Sequence, residues 1–144
     1  MPGSLAVLRA LTQDAIESHD YTEAHRYAES IAPTTDGEVA TKHLVMAQVL
    51  WAEGRKGQAI ERARAASAVS LRDPGPYMVL ASYCESAGRY QDAITAIQGA
   101  ASLPDVPQGA YEARLTELRE RLRAQHERLM RERFLEGSRA EPLP

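Results

Sequence analysis

The strongest constraint on how this chain folds is an internal repetition. Gly54-Arg55-Lys56-Gly57-Gln58-Ala59 returns, at an offset of 34, as Gly88-Arg89-Tyr90-Gln91-Asp92-Ala93. Downstream, Ala59, Ala63 and Ala66 align with Ala93, Ile97 and Ala100. Upstream, His43, Ala47 and Leu50 align with Tyr77, Ala81 and Cys84. A third copy precedes these at an offset of 35: Leu8, Leu11 and Ala15, then Tyr21-Thr22-Glu23-Ala24, Ala28 and Ile31. Self-similarity at such a period marks a supersecondary unit that cannot bury its own apolar face and must stack on its neighbours.

The units are helical. Apolar residues recur at three- and four-residue steps, alanine supplies 24 of 144 residues, and no stretch alternates with the two-residue period of a half-buried strand. Breakers fall at Ser18-His19-Asp20, between Ala32 and Gly37, at Glu53-Gly54, at Asp73-Pro74-Gly75-Pro76, at Ala87-Gly88, and between Leu103 and Pro107. They predict seven helices over about 4–18, 21–31, 37–53, 56–70, 76–87, 90–102 and 108–135, an all-α chain. Each Gly ending the first helix of a pair can take the left-handed conformation that stops it. Small residues such as Ala47, Ala59, Ala81 and Ala93 let helix axes approach closely. Pro33, Pro74 and Pro104 end the second helices.

A helix–turn–helix unit of this period carrying Gly-x-Tyr-x-x-Ala, as at Gly88 to Ala93, resembles the tetratricopeptide repeat. The resemblance covers residues 4–104 as three repeats (about 4–36, 37–73 and 74–104). A C-terminal helix within 105–136 follows, and a disordered tail is expected over 137–144. The first-helix aromatic of the family is Tyr77 in the third repeat but Leu8 and His43 in the others, and His19 replaces the first turn Gly. The related pentatricopeptide repeat, which reads RNA, has a close period but suits an acidic chain poorly.

The resemblance implies a right-handed solenoid whose first helices line a concave groove for a peptide. Counting along those helices gives a groove-facing set of Arg9, Gln13, Ile16, Leu44, Gln48, Trp51, Met78, Ser82 and Glu85. Amides can bond a peptide backbone, while Leu44, Trp51 and Met78 can anchor apolar side chains. Trp51 can equally tuck under the next repeat as core. The best-known subgroup grips acidic chaperone tails through a clamp of Lys, Asn and Arg. Here the matching places hold Arg9, Gln13, Val45 and Val79, so that clamp is not expected.

Other functions find little support. The net charge of −3 and pI near 5.8 argue against a nucleic-acid partner. His25 and Glu29 are the only helix-spaced pair suited to a metal, and they lack a third ligand. Cys84 falls at a small inter-helix position, where an inert buried thiol is expected. There is no nucleophile elbow and no glycine-rich phosphate loop. The expectation is a non-enzymatic cytoplasmic module without cofactor, metal, membrane span or signal peptide, binding a protein or peptide as an adaptor or co-chaperone-like scaffold.

The final helix supplies the alternative. Tyr111, Leu115, Leu118 and Leu122 form a seam able to cap the last repeat, whereas Leu129, Met130 and Phe134 have nothing left to cover. These three are expected to mediate self-association into a homodimer. Residues 1–118 hold 10 basic and 15 acidic side chains (−5) and residues 119–144 hold 7 and 5 (+2). The Arg-rich end thus leaves a weaker, nucleic-acid-adaptor alternative.

Overall fold

The computed structural model describes residues 4–140, with side chains through residue 139. Among them are seven helices and no strand: α1 (Leu5–Glu17), α2 (Tyr21–Glu29), α3 (Asp36–Ala52), α4 (Lys56–Ala68), α5 (Gly75–Ser86), α6 (Tyr90–Ala101) and α7 (Glu112–Ala140). The all-α fold expected from the sequence is the one observed. Helices α1/α2, α3/α4 and α5/α6 pack as pairs. Each pair packs on the next, and α7 packs on α6.

Local chemistry sets the boundaries. The Ser4 hydroxyl accepts the Val7 N–H at 3.3 Å, Asp20 accepts that of Glu23 at 3.2 Å, and Thr35 accepts that of Glu38 at 3.1 Å. Each side chain satisfies a donor that the first turn of its helix leaves free. The three turns inside the pairs are the same structure. The N–H groups of Asp20, Arg55 and Arg89 reach back to the carbonyls of Ala15, Leu50 and Cys84 at 2.9, 2.9 and 2.8 Å. The residue before each is left-handed, with φ of +59° at His19, +84° at Gly54 and +74° at Gly88. This is the six-to-one bond that closes a helix over a left-handed residue. His19 adopts it despite its side chain, with Nδ1 3.0 Å from the Tyr21 hydroxyl.

The core runs along the stack in two contiguous parts. The first joins Leu8, Ala15, Ala24, Ala28 and Ile31 to Val45 and Val49 of α3. The second joins Ala47, on the same helix, to Ile60, Leu80, Cys84, Ile94, Ile97, Leu115 and Leu118. Helix α3 therefore belongs to both. Ala24, Ala59 and Ala93, one per pair, are fully buried, as are Ala47 and Ala81. In the third pair a glycine marks a close contact. A Cβ on Gly99 of α6 would stand 2.6 Å from the Tyr77 ring of α5.

The C-terminal region differs from the expectation at both ends. Helix α7 starts at Glu112, after a turn that includes Gly109 at φ +79°. It continues through Ala140, so residues 137–140 are helical rather than disordered. Extending an established helix adds a hydrogen bond per residue without a new nucleation cost, which offsets the ~1 kcal/mol penalty of Gly137. The rest of the expected tail, residues 141–144, lies outside the described residues.

Candidate functional site

The first helices of the three pairs line a common cavity of about 450 Å³. Helix α1 contributes Arg9; α3 contributes Thr41, Leu44, Val45 and Gln48; α5 contributes Met78, Val79, Ser82 and Tyr83. Five of the residues expected to face a groove meet here: Arg9, Leu44, Gln48, Met78 and Ser82. They converge because a three-to-four-residue step keeps one side of each helix pointing the same way. Apolar side chains make most of the surface, while Gln48, Ser82 and Thr41 supply hydrogen-bonding groups. Arg9 is the cavity's only charged lining residue, exposed and without an ion pair among the described residues.

Gln13, Trp51, Glu85 and Ile16 are not brought to this cavity. Gln13 is exposed and donates to Glu17 of its own helix at 3.1 Å. Ile16 is half-buried against the first part of the core. Trp51 lies face to face with Tyr83, ring centroids 4.4 Å apart and planes within 5°, with the Lys56 ammonium 5.2 Å from its ring centre. It is half-buried against the second part of the core. Of its two sequence readings, the packing one describes these contacts. Trp51 supports the cavity by holding Tyr83, which lines it.

Glu85 is taken by α7. One carboxylate oxygen is bonded by Arg121, and the other accepts from Arg114 Nη2 at 3.3 Å. The same Nη2 stands 3.4 Å from the Ser82 hydroxyl, and Arg121 also binds Glu117 at 2.8 Å. Arg114 Nε is buried with no acceptor. Residues from α7 thus border the cavity at Ser82, a feature the sequence reading did not assign. The signal existed: Tyr111, Leu115 and Leu118 follow Tyr77, Ala81 and Cys84 at the offset of the repeat itself. The first half of α7 is therefore in register with a further first helix.

The remaining candidates are placed plainly. His25 bonds Glu53 rather than Glu29. His43 receives Arg62 Nη1 at 3.3 Å, and its pKa is lowered by burial, then by the charges of Arg62 and Lys42. Burial pushes the Cys84 thiol up, with Asp92 acting in the same direction. Its thiolate is disfavoured, as suits a packing residue. Leu118 at 1% exposure and Leu115 at 5% cap α6. Gln125 donates to the Gly88 carbonyl at 3.0 Å, and beyond it every described residue of α7 through 139 is exposed. There Leu129, Met130 and Phe134 are 49%, 62% and 75% accessible. No described helix is long and apolar enough to cross a membrane.

Fold and cavity together define a class: a stacked helix-pair protein that presents a recess along its first helices. Among solved structures, the chain is similar to the Yersinia enterocolitica type III secretion chaperone SycD, crystallised in complex with a peptide of the translocator YopD. The TM-score is 0.56 at 18% identity, over 83% of this chain and 90% of that chain. The likeness is one of fold. No family model and no curated protein matches the chain.

Proposed function

We propose that this protein is a tetratricopeptide-type adaptor or chaperone-like module that holds a peptide segment of a protein partner against α1, α3 and α5. The carrying observation is the cavity of about 450 Å³, lined by residues of all three first helices. Its mixed surface suits a peptide: an apolar floor for side chains, with an amide and hydroxyls for the backbone. The structural likeness to a chaperone solved with a bound peptide supports the reading. The test is capture of partners by the whole chain, compared with a Gln48→Ala/Met78→Ala variant. Capture should be lost while helicity by circular dichroism stays near the parent. Capture surviving in the folded variant would move binding off this surface.

A second reading, self-association through the end of α7, draws on the exposed Leu129, Met130 and Phe134. Sedimentation at two concentrations tests it, with Phe134→Glu expected to favour the monomer. Nucleic-acid binding through the Arg-rich end stays the weakest reading, since the chain is acidic overall.

A further inference from the structure

Resting on the peptide-binding reading, we propose that the segment held in the cavity pairs an apolar side chain with a carboxylate one to three residues away. The apolar group sits on the floor made by Leu44, Met78 and Val79, and the carboxylate meets Arg9.

Charge decides this chemistry. The chain as a whole is acidic, at −3, yet no acidic side chain lines the cavity, and its single charge is the guanidinium of Arg9. That guanidinium has no carboxylate of its own among the described residues. Beside Ser82, Glu85 is held by two arginines of α7, while Asp36 and Asp73 line an adjoining recess that shares Thr41 and Leu44. Arg114, which touches Ser82 of the lining, keeps its Nε buried without an acceptor. The cavity lining thus carries no carboxylate. A cationic side chain entering here would meet Arg9 and no carboxylate in the lining, whereas an anionic one finds an unpaired donor fork. The end of a second copy's α7 is a poorer match on charge. Residues 119–140 carry seven arginines against four glutamates and would bring like charge to Arg9.

The test is selection from a library of random twelve-residue peptides displayed on phage, using the full chain. Three baits are compared: the parent, Arg9→Glu, and Ser82→Trp, which fills the cavity from an exposed position. Arg9 and Ser82 are both exposed, so these variants leave the core intact. The expected result is enrichment of Leu, Met or Phe with Asp or Glu within three residues, lost with Ser82→Trp. With Arg9→Glu the acidic preference should invert to Lys or Arg. Synthetic peptides from the parent selection should bind Arg9→Gln roughly threefold to fivefold more weakly, as for an exposed pair, with the difference shrinking at high salt. Peptides sensitive to Ser82→Trp but indifferent to Arg9→Glu would overturn the charge assignment and leave the peptide-binding reading standing. Selected peptides indifferent to Ser82→Trp, or no selected peptides at all, would overturn both.

Discussion

Gly99 sits inside α6, where Ala would be the better helix former by about 1 kcal/mol. Its presence there is explained by Tyr77. A Cβ at residue 99 would lie 2.6 Å from Cε1 and 2.8 Å from Cδ1 of that ring, whereas carbon pairs rest at about 3.5–4.0 Å. The ring must retreat by about 1 Å in a half-buried site, and such overpacking costs about 1–3 kcal/mol. Gly99→Ala should therefore be destabilising by about 0–2 kcal/mol after the helix gain is subtracted. In a Tyr77→Ala background the obstruction is gone. The same substitution should then stabilise by about 0.5–1 kcal/mol.

The sign reversal is the signature. Urea unfolding of the four chains, followed by circular dichroism at 222 nm, gives the coupling between the two positions. It should equal the overpacking term, about 1–3 kcal/mol, or several degrees in Tm. Additivity within about 0.5 kcal/mol would refute the contact. The repeat offers its own control. The matching positions one and two repeats earlier pair His43 with Ala65 and Leu8 with Ser30. The largest first-helix residue thus stands opposite the smallest second-helix one.

Four other perturbations have clear expectations. Gly54 has φ +84° and open space where a Cβ would go, so Gly54→Ala should cost about 1–2 kcal/mol in a urea melt from backbone strain alone. A chain ending after Asp105 loses the burial of Leu115 and Leu118, about 1.5–3 kcal/mol each, and should be partly unfolded by near-ultraviolet dichroism. A chain ending after His126 keeps the Gln125–Gly88 bond and should melt within a few degrees of the whole. His43 has its pKa lowered by burial and by Arg62, so its neutral form is the one folding favours. The stability it contributes is present above the ordinary imidazole value, about 6.5, and is lost as pH falls below it. Nuclear magnetic resonance titration should find His43 low and show it rising in Arg62→Gln.

The sequence carries local information well and cross-chain information poorly, and the two sides of Ser82 show why. The turns were legible because each is closed by a short-range bond: the offset that aligns His19 with Gly54 and Gly88 places a left-handed residue where glycine is absent, and φ is +59° there. Convergence of Arg9, Leu44, Gln48, Met78 and Ser82 was legible for a similar reason, since period and repeat offset fix which side of each helix they share. The fate of Glu85 was not. It stands one helical turn beyond Ser82 and shares its stripe, but Arg114 and Arg121 reach it from 29 and 36 residues away. No periodicity announces a long side chain crossing between helices. Trp51 was ambiguous because a half-buried stripe borders both core and recess, and its stacking on the Tyr83 ring is a contact that periodicity does not announce. These two outcomes change the chemistry of the surface. Glu85 is paired by α7 and Trp51 stacks on Tyr83, and neither is among the residues that line the cavity. What remains is a smaller apolar floor under one unpaired guanidinium. The terminal helix thereby does more than cap α6: by engaging Glu85 it leaves Arg9 to set the sign of the cavity.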